Sequence, residues 1–506
     1  MNSQQNFSDE SQIEPQTSGL PPSISSEESP PTTASPPTIG GLVQPSQPPT
    51  ADQTPSLSTE QINSGETGGG FPVKTVLIVL GIIFLLLVAG FGLFRYFSGK
   101  TAPPTVVNLT WWGLWEDSSI VQPLIDEYQA KNPNIKIQYL KQSPKDYRER
   151  LNSSLAKGTG PDIFRFHNSW IPMFKSELAS LPSNVIDSAT FASIFYPIAS
   201  QSLMRSGQIL GIPLMIDGLG LYVNEEIFER SNLSPPQTWD ELRHRAVSLT
   251  VRSEEGEILQ AGVALGTAGN VDHWQDILSL MLMQNQADLA NPTDKRAQDS
   301  LSFYTNFVTG DRVWDQTLPP STSTFAVGKL AMYFAPSWRA FEIKSKNPAL
   351  RFHVVPAPQL PKSTPPLPGE IDVTWASFWA EGVWERSQNK KQAFEFLKFL
   401  SQREQLEKLY TQAAKIRLFG EPYPRRDMSE LLTDHPMVGA YIKQASSAKS
   451  WYLASNTLDG PTGINSRIAK YFEDAVNKVL QGDSPDSVLP TVQQGVQQVL
   501  GTYGIR

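Results

Sequence analysis

VVNLTWWGLWEDSSIVQPLIDEYQAKNPNIKIQYLKQSPKDYRERLNSSLAKGTGPDIFRF, residues Val106 to Phe166, switches repeatedly between the two periods of regular structure. VVNLTWW (Val106 to Trp112) reads as a strand, and Trp111 and Trp112 fall on its opposite faces, so one of the pair is expected in the core. Ile120, Leu124 and Tyr128, joined by Val121 and Ile125, recur at helical spacing and stop before Pro133. Ile135, Ile137 and Tyr139 then alternate as a second strand. Tyr147, Leu151 and Leu155 mark another helix, with Gly158 placed to cap it, and PDIFRF opens a third strand. Strand, helix, strand, helix, strand predicts an open, mostly parallel sheet in an α/β fold, with ligands at the carboxyl ends of its strands.

Outward from this block, Thr238 and Glu241 in TWDEL form a capping box directly after Pro235 and Pro236, so a helix starts there. Further helices are expected near Gln392 to Tyr410 and Asn465 to Leu480, the latter burying Ile468, Phe472, Ala475, Val476 and Val479. No internal repeat is visible. On the other side, Thr75 to Phe94 (TVLIVLGIIFLLLVAGFGLF) is a 20-residue uncharged run between Lys74 and Arg95. At 1.5 Å per residue it matches a hydrocarbon core of ~30 Å, and it is read as a transmembrane helix over 73–97, followed by a linker over 98–104. No small-x-small cleavage pattern follows in RYFSGKTAPP, so the helix is expected to stay as an anchor. Residues 1–72 hold twelve of the 41 prolines amid Ser, Thr, Gln and Gly and few apolar side chains, a composition that predicts a disordered tail.

With 506 residues, the chain exceeds any single small domain and can bury a large core. The first 73 residues carry eight acidic and no basic side chains, which accounts for the whole difference between 50 Asp and Glu and 42 Lys and Arg. The remainder is balanced, so nucleic acid is not an expected partner. The absence of cysteine removes disulfides, thiolate metal sites, cysteine nucleophiles and a lipidated anchor.

Six segments in order, LTWWG, IDEYQAKNPNIKIQY, LAKGTGPDIF, SGQILGIPLMIDGLGLYVNEEIFERSNLSPPQTWDELRHRAVSL, FAVGKLAMYFAPSW and KKQAFEFLKFLSQREQLEKL, resemble the extracellular solute-binding proteins of ABC transporters, the maltose-binding-protein family. The resemblance covers roughly residues 106–410. It implies a two-lobe, type II periplasmic-binding-protein-like fold with a hinge and an interlobe cleft. Lobe 1 would span about 105–216 and 357–415, and lobe 2 about 220–355 and 416–506. Crossings are implied near Pro213 to Tyr222, near Pro356 to Thr374, and after Tyr410. The chain departs from the pattern in its tail and helix, and in IRLFGEPYPRRDM (Ile416 to Met428), where the family often has a simpler small-residue and proline stretch.

An indole under a sugar ring with amides or carboxylates around its rim holds a carbohydrate, and covering roughly 100 Å² per ring contributes about 2.5 kcal/mol. Trp115, Glu116 and Asp117 follow the first strand, Asn168 and Trp170 follow the third, and Asp217 lies on the first crossing. By the resemblance, Trp274, Trp338 and Trp451 match positions where lobe 2 presents aromatic rings, and Trp375 and Trp379 lie where the chain re-enters lobe 1. These eleven residues are the expected ligand-binding set. Trp239, Trp314 and Trp384 stay outside it.

No enzyme signature is present. Glu116 and Asp117 are adjacent and point apart, whereas glycosidase carboxyls face each other across ~5–9 Å. The five histidines lack metal-like spacing, no G-x-S-x-G occurs, and the glycine a P-loop needs before GKT is Phe94. No cofactor or metal is expected. The expectation is therefore a monomeric, membrane-anchored, extracytoplasmic binder of an oligosaccharide that serves ABC permease subunits. The carboxylates leave a polyamine-type cation open as ligand, and the anchor leaves open a sensor or surface-binding role.

Overall fold

The computed structural model describes residues 72–98, 106–363, 367 and 370–505. The expected tail and most of the expected linker lie outside the described residues. The chain divides into two units, Met1–Arg95 and Tyr96–Arg506. The helix Val73–Ser98 lies in the first unit as far as Arg95, and its stretch Val73–Arg95 is long and apolar enough to cross a membrane. Its 23 residues rise about 35 Å, and its apolar side chains point outward all round, as a lipid-facing helix requires.

The second unit holds two five-stranded sheets. The first runs in the order Ile135–Lys141, Val107–Gly113, Ile163–His167, Trp379–Val383, Ile212–Pro213. Its first three strands are parallel, and Trp379–Val383 joins antiparallel to Ile163–His167. The helix Ser118–Lys131 buries Ile120, Val121, Leu124, Ile125 and Tyr128 against this sheet, the face its spacing predicts. Gly158 closes the next helix, Tyr147–Ala156, with φ +77°, a conformation that a side chain would strain. Trp111 is the buried member of its pair, and Trp112 is half-buried.

The second sheet runs Phe352–Pro356, Gly220–Asn224, Leu330–Ala335, Ile258–Val263, Val251–Arg252. Gly220–Asn224 and Leu330–Ala335 are buried at every position, so they read as continuous apolar runs because both faces are covered. Thr238 Oγ1 accepts the Glu241 N–H at 3.2 Å, and the Glu241 carboxylate accepts the Gln237 N–H at 2.7 Å. The expected capping box thus reaches one residue further back. The long helix expected near 392–410 is two, Lys390–Leu400 and Arg403–Ala414, broken where Gln402 turns extended. Ile464–Leu480 and Pro485–Thr502 pack on each other and on Lys295–Thr309, with Ile468, Phe472, Ala475 and Val476 inside.

The chain passes between the sheets where several segments touch through their backbones. Gly218 bridges Ala376, Ser377 N–H donates to the Asp217 carbonyl at 3.0 Å, and Ile216 N–H donates to the Pro422 carbonyl at 2.9 Å. A Cβ on Gly218 would collide with the Trp375 carbonyl, so only glycine permits this approach.

Beneath the first sheet, Arg165 is buried between two carboxylates. Its guanidinium meets Glu116 at 2.5 Å and Glu381 at 2.6 Å, all three groups being at most 2% exposed. Trp111 Nε1 donates to the second oxygen of Glu381 at 3.1 Å. Burial pushes the Glu381 carboxyl above its usual value even so. Removing the arginine should strand both carboxyls: Arg165→Met is expected to cost roughly 3–5 kcal/mol. Glu381 then favours its proton more in the fold than in the open chain, so the remaining stability is greatest at low pH and falls as pH rises. Denaturant titrations at pH 4.5 and pH 8 should show the larger loss at pH 8.

Candidate functional site

A cleft of about 560 Å³ opens beside the crossing segments. Side chains following strands of the first sheet form one part of its lining. Trp115 stands just beyond Val107–Gly113, and Trp379 begins Trp379–Val383, the two rings meeting edge to face at 5.7 Å. Trp379 is steadied from behind by Trp170 at 5.4 Å and His167 at 5.2 Å, and Trp170 stacks on Phe174 at 5.4 Å.

The other part comes from the turn after Leu330–Ala335 and the helix Arg339–Lys346: Pro336, Trp338, Arg339, Phe341 and Glu342. Trp338 keeps 37% of its surface exposed, unusual for an indole in a folded domain. The Arg339 guanidinium lies 4.4 Å from the Trp338 ring centroid, and that of Arg417 lies 5.3 Å from Phe341. Each arginine is also paired with a carboxylate, Arg339 with Glu342 at 2.5 Å and Arg417 with Glu421 at 2.6 Å.

Arg339 is tied deeper as well. Its Nε donates to His273 Nε2 at 3.0 Å, so the other ring nitrogen carries the proton and faces Ser455 Oγ at 2.9 Å. Ser455 Oγ donates in turn to Asp276 at 2.5 Å. Burial lowers the His273 pKa, and the ring stays neutral. Serine, histidine and aspartate are neighbours here without forming a nucleophilic site, because Arg339 occupies the only basic nitrogen.

Asp217 sits at the crossing with its carboxylate accepting Ser337 Oγ–H and Gly218 N–H, both at 2.8 Å, and Ser337 N–H at 3.1 Å. Burial dominates these bonds and pushes its pKa up to about 7.

Of the eleven residues expected from sequence, Trp115, Asp217, Trp338 and Trp379 line the cleft. The other seven do not. Glu116 is turned inward to Arg165, and Asp117 forms an exposed ion pair with Lys141 at 2.7 Å. Asn168 lies one layer back, accepting the N–H of the cleft residue Phe378 at 3.2 Å. Trp170 is fully buried behind Trp379. Trp274 is buried in the first turn of Trp274–Gln284, where Asp276 takes the lining position. Trp375 is buried in the crossing strand paired with Lys449, and Trp451 is half-buried against Tyr452 at 5.7 Å. Trp239, Trp314 and Trp384 are buried. Sequence reasoning missed Arg339, Glu342, Arg417 and Glu421; the irregular IRLFGEPYPRRDM stretch contains two of them.

A family model described as bacterial extracellular solute-binding protein matches residues 123–416, more than half of the chain, and the chain belongs to that family. A binding protein of Brucella abortus (strain 2308) is 21% identical over 289 residues, 55% of this chain and 67% of the relative. Among solved structures, the cyclic alpha-maltosyl-1,6-maltose binding protein from Arthrobacter globiformis superposes with a TM-score of 0.63 at 19% identity, covering 78% of this chain and 100% of that one. The sugar-binding protein MalE from Xanthomonas citri gives 0.63 at 17% identity, covering 78% and 98%. The fold is thus the two-lobe α/β fold of these binding proteins, and the family and its fold neighbours bind ligands without transforming them.

Asp217 supplies a pH test. Its folded value of about 7 against an ordinary 3.8 corresponds to about 4 kcal/mol that is present below pH 4 and lost as pH rises through 7. Asp217→Asn keeps the Oδ1 acceptor for the Gly218 and Ser337 N–H groups, replaces the acceptor of the Ser337 hydroxyl by an amide that donates to it, and removes the charge. Its melting temperature should exceed that of the unsubstituted protein by a margin that grows between pH 4 and pH 8.

Proposed function

We propose that the protein captures an oligosaccharide in this cleft and delivers it to an ABC permease. The observation that carries the reading is the lining itself: Trp115, Trp379, Trp338 and Phe341 offer ring surfaces, while every charged group beside them already has a partner. Such a cleft suits a neutral ligand with apolar C–H faces and a rim of hydroxyls. Its volume of about 560 Å³ lies within the ~300–1,000 Å³ usual for small-molecule sites. Both solved neighbours are named for binding sugars, which supports the same class here.

The ligand-binding residues we propose are Trp115, Asp217, Trp338 and Trp379, joined by Phe341 and Arg339. Lobe 1 is taken as about 105–216 and 357–415 and lobe 2 as about 220–355 and 416–506, closing about the Asp217–Leu219 crossing. The helix Val73–Arg95 holds the domain at the outer face of the membrane, with the tail of about 72 residues in the cytoplasm. A single charge, Lys74 against Arg95 and Lys100, opposes this orientation, and long domains translocate largely regardless of flanking charge.

A thermal-shift panel of neutral oligosaccharides and polyamines on the full-length protein tests the ligand class. A sugar at 100 times its Kd should add about 2.7 kcal/mol of stability. Silence from every sugar with a response to a polyamine would overturn the carbohydrate reading. Trp338→Ala should weaken the sugar by roughly one to two orders of magnitude while lowering the melting temperature of the unliganded protein only modestly, because over a third of that side chain is already in water.

Orientation has its own test. Protease added to intact spheroplasts should digest the region after residue 100 and spare an epitope near Asn2. Loss of the epitope with survival of the domain would reverse the topology and remove the transport role.

A further inference from the structure

Ser377 lies on the cleft lining two residues past the crossing strand Thr374–Trp375, half-buried beside Asp217. Its hydroxyl oxygen is 2.9 Å from His167 Nε2. Which of the two donates is decided at the far side of the ring. His167 Nδ1 accepts the Ser169 backbone N–H at 3.3 Å, and an amide N–H cannot accept. Nδ1 therefore carries the lone pair. The imidazole is 1% exposed, and burial lowers its pKa to about 3, so at neutral pH it holds a single proton, on Nε2.

The chain of donors continues inward. Ser169 Oγ, 2.7 Å from Nδ1, donates to it and receives a bond from Asn465 Nδ2 at 2.8 Å. Asn465 is pinned in turn by Asp459, whose carboxylate accepts the Asn465 backbone N–H at 2.7 Å and its Nδ2–H at 3.0 Å. Asn465 stands in the first turn of Ile464–Leu480, so the line joins the first sheet to a helix near the chain's end. Every donor along it points from Asn465 through Ser169 toward the acceptor nitrogen of His167, and the ring passes its own proton to Ser377.

We infer that Ser377 is a ligand-binding residue whose hydroxyl is committed as a hydrogen-bond donor, so the occupant of the cleft must present an oxygen acceptor to it. The His167 N–H occupies the Ser377 oxygen. The hydroxyl proton has no acceptor among the described residues. His167, Ser169 and Asn465 are positioning residues that set the direction of the bond. The identity of the acceptor as a sugar oxygen rests on the carbohydrate reading above; the direction of the bond does not. An ammonium group has no lone pair to offer, so a polyamine would leave the Ser377 proton unpaired.

Two measurements on the full-length protein in detergent micelles test this. Nitrogen-15 NMR of histidine-labelled protein, with the His167 signals assigned by their loss in His167→Gln, should show the neutral Nε2–H tautomer from pH 6 to pH 8. An Nδ1–H tautomer or an imidazolium would overturn the donor assignment. Calorimetric titration with maltotriose, mannotriose and spermidine should find a sugar that binds. Ser377→Ala should weaken that sugar roughly tenfold, and Ser377→Thr, which keeps the hydroxyl, should restore it to within about twofold. A Ser377→Ala variant that binds the sugar as tightly as the unsubstituted protein would sink the proposal alone. Binding of spermidine without either sugar would sink it together with the carbohydrate reading. Silence from all three ligands would count against the carbohydrate reading, and the tautomer would then decide the donor assignment by itself.

Discussion

The close backbone contact at Gly218 is the constraint on which the site depends. There the segment leaving the first sheet runs against the segment returning to it, and the Pro422 carbonyl closes the contact from a third stretch of chain. These are main-chain bonds, indifferent to side-chain identity apart from the missing Cβ. Asp217 and Ser377, one on each strand of the contact, are carried into the cleft by the backbone bond between them. The cleft is consequently anchored at a point that substitutions elsewhere in its lining, Gly218 excepted, would leave in place. The residues around it can change with the ligand while the crossing persists.

Charge in the cleft follows a consistent rule. Four acidic and two arginine side chains contribute to the lining, and the Arg339–Glu342 and Arg417–Glu421 pairs, the Ser455–Asp276 bond and the Ser337–Asp217 bonds engage every one of them. A buried one left unpaired, such as Asp276, would cost more than a neutral hydrogen bond returns. The arginines also cover one face each of Trp338 and Phe341, which makes those rings poorer partners for a second cation. Cation binding is thus disfavoured twice, by the covered rings and by carboxylates already engaged.

Much of the fold was legible because periodicity reports which face is buried. The helix through Ile120, Leu124 and Tyr128, the strand through Ile135 and Ile137, and the helix through Ile468 and Phe472 follow directly from spacing. The site was less legible, since the end of a strand fixes a neighbourhood but not a direction. Trp115 and Glu116 differ by one position, and that step sends one side chain to the cleft and the other to Arg165. No local signal in PDIFRF tells that Arg165 is buried, because its partners are 49 and 216 residues away. Arg417 and Glu421 were hidden for a similar reason: the stretch that carries them has no periodicity to read.

Three of the expected residues that do not line the cleft lie directly behind it. Asn168 holds the backbone of Phe378, Trp170 backs Trp379, and Trp375 lies in the crossing strand just before Ser377. They form the layer behind the lining. Indoles and amides are frequent there for a physical reason: a ring that must meet a ligand in one orientation needs a rigid partner behind it, and rigidity before binding removes an ordering cost that would otherwise weaken the complex. The line from Asn465 through Ser169 and His167 to Ser377 is the polar counterpart of the ring stack behind Trp379, and both run through the short segment from His167 to Trp170. That segment touches little of the cleft itself, yet it sets the orientation of two of the groups that line it.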